Sequence, residues 1–288
     1  MSFPRLLHRH GLTLGLAVAF AAAGTAAGAE NTCVSAKCHA TILSGKVVHA
    51  PTDSCDTCHE SVETPHPQEG KKTFKLSQEP PELCAACHDA IGTKPNVHPP
   101  VKDGMCTSCH DPHSSAEAKL LSQPVTDLFL ACHDDKGSLA NVHAGDCTSC
   151  HVPHDSEFKP LLAAEFPADK YVPYSDTAFA LCFTCHDHEM LEKAQTGSAT
   201  EFRDGERNLH YVHVHNDKKG RSCRLCHAVH GTRGPALVAD TVPFGKWSLP
   251  LKFVKTETGG SCAPGCHKPA VYDRAAPAKK PEAAKPAK

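Results

Sequence analysis

Cys106-Thr107-Ser108-Cys109-His110-Asp111-Pro112-His113 and Cys147-Thr148-Ser149-Cys150-His151-Val152-Pro153-His154 are two copies of one eight-residue run. Each has two cysteines separated by two residues, a histidine directly after the second, and another histidine three residues on. The C-x-x-C-H core recurs at Cys55/Cys58/His59, Cys84/Cys87/His88, Cys182/Cys185/His186 and Cys223/Cys226/His227. Wider versions stand at the two ends, Cys33-(x4)-Cys38-His39 and Cys262-(x3)-Cys266-His267. A ninth copy, Cys132-His133, carries Phe129 where the first cysteine belongs. The eight complete runs use 16 of the 17 cysteines.

C-x-x-C-H is the attachment signal for c-type haem. The two thiols form thioethers to the haem vinyls, and the imidazole binds the iron. Zinc ribbons also use C-x-x-C pairs, but zinc chemistry does not require a histidine after every second cysteine. A dithiol or disulfide framework does not require it either. The pattern therefore predicts eight covalent haem c sites with His39, His59, His88, His110, His151, His186, His227 and His267 as proximal ligands. A ninth is expected at Cys132 and His133, through a single thioether, with a decayed site and eight haems as the alternative.

The histidines outside the motifs follow a repeat. His49, His98 and His143 each lie ten residues after a motif histidine, and each follows a valine. His66, His113, His154 and His230 each follow the next motif. The unit is motif, lone histidine, motif, lone histidine, run three times cleanly and once in stretched form. Nine irons need nine further axial ligands, and a protein sets haem chemistry largely through them. Seven come from the repeat positions and two from among His188, His210, His213 and His215. Only Met105 and Met190 remain as methionines after export, so the expectation is bis-histidine ligation.

The N-terminus reads as an export signal. Arg5 and Arg9 precede the apolar run of residues 11–23, and Ala27-Gly28-Ala29 forms a cleavage site. That run is too short to span a bilayer. Export agrees with the motif, since covalent haem is added outside the cytoplasm, and a periplasmic or secreted protein is expected. The formal charge of −2 becomes more negative once the signal leaves and haem propionates are added. Nothing indicates nucleic-acid binding.

With 23 prolines and 19 glycines, the expected fold is mostly irregular, with short helices at the motifs, little sheet and a core of stacked haems. Residues 30–160 hold repeats one to three. Residues 161–273 hold the stretched repeat, the terminal motif and a flap. Residues 274–288, rich in Ala, Pro and Lys, are expected to be disordered. Residues 156–181 read as a linker or hinge. Trp247, Leu249, Leu251 and Phe253 alternate like a strand, which Pro250 restricts to a sheet edge.

The two opening runs resemble the doubled C-x-x-C-H multihaem cytochromes. The stretch from Gly220 through His227 to Gly259–His267 is similar to the closing part of periplasmic multihaem electron-transfer cytochromes of metal-reducing bacteria. That resemblance implies His210 and His213, rather than His215, as the two remaining ligands. Phe129-x-x-Cys132-His133 resembles the single-thioether site of euglenozoan mitochondrial cytochromes. The resemblance implies an electron carrier with no catalytic residue. The expected partners are an inner-membrane quinol-linked cytochrome on one side and an outer-membrane porin–cytochrome assembly or terminal reductase on the other. A multihaem reductase of nitrite, hydroxylamine or sulfur oxyanions is one alternative, and a subunit of an extracellular cytochrome filament is another.

About 29 residues of the mature chain serve each site, too few for an ordinary apolar core. The haem-free chain is therefore expected to be largely unfolded by circular dichroism. A cooperative unfolding transition without haem would contradict this.

Overall fold

Frequent proline and glycine break this chain before long elements can form. In the computed structural model, which describes residues 33–133, 147–175, 177–217 and 219–277, the longest helices span six residues each, Val125–Leu130 and Leu209–Val214. The strands are two to four residues long and pair antiparallel in small separate sheets. The expected irregular architecture of short helices is present. The signal segment and residues 278–288 lie outside the described residues.

Two minimal ladders account for the valines before His49 and His98. Val47–Val48 pairs with Ser114–Ser115, and Asn96–Val97 pairs with Asp155–Ser156. A β-branched residue favours the extended backbone that such a ladder needs. Each ladder closes on histidines. The His49 N–H donates to the His113 carbonyl, and the His98 N–H donates to the His154 carbonyl, both at 2.9 Å. Residues more than 50 positions apart are thus joined where the lone histidines stand.

The C-x-x-C-H runs form single turns. The histidine N–H donates to the carbonyl of the first motif residue at Cys84, Cys106, Cys147, Cys182 and Cys223, over 2.9–3.1 Å. The terminal motifs depart from the expected helical turn. Ser35 and Cys38 form an isolated bridge, and Cys262 ends the strand Gly259–Cys262. With three or four residues between the cysteines, the turn that spans two cannot close in the same way.

Among the described residues, the buried apolar side chains are Leu162, Phe179, Leu191, Val214, Leu225, Val242, Leu251 and Tyr272. All lie at or beyond position 162. Two small clusters result, one around Phe179, Leu191 and Val214, the other around Leu225, Val242 and Leu251. Residues 156–181 are not a free linker. Phe166, Val172 and Tyr174 pack on the first cluster, and Val172 N–H donates to Gly220 O while Ser222 N–H donates to Lys170 O. The alternating segment forms a hairpin of Thr241–Phe244 with Trp247–Pro250, and Val242 of the hairpin and Leu251 just after it close over Leu225 between two motif cysteines. Arg274 is also held, donating from its backbone to Thr258 O and from its side chain to Glu257 O, so ordered structure extends past residue 273.

Asn208 fastens the first cluster. Its side chain is fully buried, donates to Met190 O and Lys193 O at 2.9 Å, and accepts the Tyr211 N–H as the cap of Leu209–Val214. Asn208→Ala removes a cap and strands two carbonyls, and is expected to cost about 3 kcal/mol in a denaturant titration. An unchanged midpoint would contradict this role.

Candidate haem-binding histidine pairs

The structure brings histidines together in twos. Ring centres are 6.2 Å apart for His39 and His66, 6.1 Å for His59 and His113, and 5.9 Å for His88 and His49. They are 6.0 Å apart for His110 and His154, 6.3 Å for His133 and His98, 6.1 Å for His151 and His230, and 6.4 Å for His227 and His210. In every pair one member ends an attachment motif and the other is a lone histidine. Six of the seven pairs lie within 26° of parallel; His110 and His154 are tilted by 37°. Two imidazoles on one metal, each through a bond of about 2 Å with its ring centre roughly 1 Å further, have centres about 6 Å apart. The separations therefore fit one haem iron between each pair. Among the described residues no group of three or more His, Cys, Asp and Glu converges as a metal cage would require.

Several of the rings are held through Nδ1, which leaves Nε2 for a metal. His49 Nδ1–H donates to Pro112 O at 2.8 Å, and His98 Nδ1–H to Pro153 O at 2.9 Å. Three proximal rings share another device, donating to a carbonyl nine residues on: His110 to Lys119, His151 to Pro160 and His227 to Ala236, at 2.9–3.0 Å. His213 donates to Leu209 O and His267 to Lys268 O. Burial favours the neutral, metal-binding imidazole. It lowers the pKa of His210 to about 4, with smaller contributions from His227 and His213. His113, His154 and His227 are lowered as well, burial again being the largest cause.

The motif cysteines are neighbours across sites. The Cys84 thiol is hydrogen-bonded to that of Cys106, and the Cys182 thiol to that of Cys223, a contact that raises the Cys182 pKa and lowers that of Cys223. Burial lifts Cys226 to about 11, and Cys262 adds to the shift. Cys109, raised chiefly by burial, also senses Cys132. At the ninth position the turn survives the substitution. His133 N–H donates to Phe129 O at 3.0 Å, as its counterparts do to cysteine, and the Phe129 ring lies 4.6 Å from that of His133.

The other candidates fall into three groups. His143 lies outside the described residues. His267 lies close enough to His213 to lower its pKa slightly, after burial and Arg221, and His186 acts in the same way on His227. His188 and His215 are engaged elsewhere. His188 Nδ1–H donates to Glu192 Oε1 at 3.1 Å, and His215 stacks between Tyr174 and Tyr211 with Nε2–H donating to Leu191 O.

Sequence reasoning missed the supports of the rings. Two residues after His113, His154 and His230 stand Ser115, Ser156 and Thr232, and each hydroxyl donates to the carbonyl six residues further, at Leu121, Leu162 and Val238. That closes the loop carrying the carbonyl that holds the proximal ring. The signal was present as H-x-[S/T]-x5-[L/V], three times over.

Residues 98–138 and 140–191 match the doubled CXXCH motif family. The match supports a multihaem c-type cytochrome that binds haem c covalently. No curated protein matches the chain. No helix among the described residues is long and apolar enough to cross a membrane.

The pairing distinguishes His230, set against His151, from His215, held by two tyrosines. His230→Ala is expected to turn one haem high-spin in electron paramagnetic resonance. His215→Ala should leave the spin state of every haem unchanged, and the reverse result would contradict the pairing.

Proposed function

We propose that the chain is an exported electron carrier holding nine haems c, each iron bound by two histidines. The carrying observation is the recurrence of motif-plus-lone histidine pairs at 5.9–6.4 Å. The proximal–distal assignments follow the ring pairs: His39 with His66, His59 with His113, His88 with His49, His110 with His154, His133 with His98, His151 with His230 and His227 with His210. We assign His213 to His267, which its ring senses, and His143, which lies outside the described residues, to His186 on the sequence repeat alone. Covalent attachment uses Cys33, Cys38, Cys55, Cys58, Cys84, Cys87, Cys106, Cys109, Cys147, Cys150, Cys182, Cys185, Cys223, Cys226, Cys262 and Cys266, with Cys132 alone at the ninth.

Haem c, when bound, supplies one-electron exchange at iron and little else if both axial positions are filled. The chain's residues then act as positioners. The Nδ1 contacts fix ring orientation and tautomer, and the paired imidazoles close the iron to substrate. Contacts between cysteines of successive motifs support close-set sites along the chain. Histidine rather than methionine ligation favours low potentials. The proposed location is the periplasm. The proposed partners are a quinol-linked cytochrome and an outer-membrane conduit or terminal reductase, met through small transient contacts.

Intact mass is expected to show nine haem additions, and eight would remove the Cys132 site. Voltammetry of the adsorbed protein is expected to show a low-potential non-turnover envelope that nitrite, hydroxylamine and sulfite leave unchanged. A catalytic current with any of them would overturn the carrier reading in favour of a reductase.

A further inference from the structure

Seven of the ligand histidines discussed above donate Nδ1–H to a backbone carbonyl: His49, His98, His110, His151, His213, His227 and His267. His66 and His210 differ. The partner of His66 Nδ1 is the Thr73 hydroxyl at 2.5 Å, and that of His210 Nδ1 is the Thr200 hydroxyl at 2.7 Å. The two sites lie far apart in sequence yet are built alike. A phenylalanine meets each ring edge-on, Phe74 at 4.9 Å and 88° to His66, Phe202 at 5.2 Å and 71° to His210.

The local backbone explains why the hydroxyl serves. The Thr73 carbonyl already accepts the Val62 N–H at 2.9 Å in the ladder leading to Phe74–Leu76, and Thr73 is only 4% exposed. Its hydroxyl is left facing His66. The Thr200 oxygen also accepts the Phe202 N–H at 3.1 Å, so it is shared between two donors. A hydroxyl oxygen is a weaker acceptor than a peptide carbonyl, and sharing weakens it further. The less an acceptor draws on Nδ1–H, the less basic is the ring toward a metal, and the less the ferric state is favoured.

We propose that Thr73 and Thr200 are positioning residues that set the potentials of the sites ligated by His66 and His210, holding them above what a carbonyl acceptor would give. This rests on the ligand assignments made above. Among the described residues, these are two places where a hydroxyl side chain accepts, and it is open to substitution.

The test is a spectroelectrochemical titration of the fully loaded protein. Thr73→Ser should titrate as the parent. Thr73→Asn, which offers a carbonyl, should move one of the one-electron components to lower potential. Thr73→Val, which removes the acceptor, should move one to higher potential. A tenfold change in the oxidised-to-reduced ratio at fixed potential corresponds to about 59 mV for one electron. The Thr200 series should move a different component in the same directions, and it carries the test if Thr73→Val does not assemble. Opposite signs for Asn and Val are not what simple loss of packing would produce. His66→Ala and His210→Ala serve as controls. If neither yields a high-spin haem, the ligand assignment fails. If both do while the threonine variants all titrate as the parent, the tuning role is wrong and the assignment stands.

Discussion

Much of the described structure is organised around holding two imidazoles about 6 Å apart, with a metal-sized gap between them. A C-x-x-C-H turn places one ring, and a distant segment must bring the other. The short ladders at Val47–Val48 with Ser114–Ser115 and at Asn96–Val97 with Asp155–Ser156 do this, because they end on His49, His113, His98 and His154. These two ladders are no longer than is needed to position the rings, whereas the hairpin of Thr241–Phe244 with Trp247–Pro250 packs on Leu225. Among the described residues the buried apolar side chains are few and lie from Leu162 onward, so residues 33–133 have few buried apolar contacts of their own to hold them. Porphyrin faces between the paired rings would supply the missing buried surface, as metals and staples do in small domains.

The chemistry was legible in the sequence because covalent attachment demands fixed residues at fixed spacing. The cysteine and motif-histidine positions follow from Cys106–His113 and its copies alone. The lone histidines were legible as a set through their offset from the motifs. Their partners were not, since His49 lies beside His88, and His66 beside His39, only after the chain folds. His215 shows the limit most clearly. It caps the C-terminus of the helix that carries His210 and His213, yet two tyrosines and the Leu191 carbonyl occupy it.

Other features were hidden because they depend on backbone atoms. The carbonyls of Lys119, Pro160 and Ala236 hold three proximal rings, and no side-chain pattern encodes a carbonyl directly. The serines and threonine two residues after His113, His154 and His230 were the only trace. Residues 156–181 read as a linker by their break from the repeat, but Phe166, Val172 and Tyr174 give them an apolar face that packs. The terminal motifs, with their extra spacer residues, could not keep the turn that the others share.

The central claim is that every iron has two histidine ligands and no open position. Electron paramagnetic resonance of the oxidised, fully loaded protein, with spin quantified against haem content, tests it most directly. The account predicts that low-spin ferric signals account for all nine haems. A high-spin signal amounting to one haem or more would contradict it, since at least one iron would then lack its second histidine.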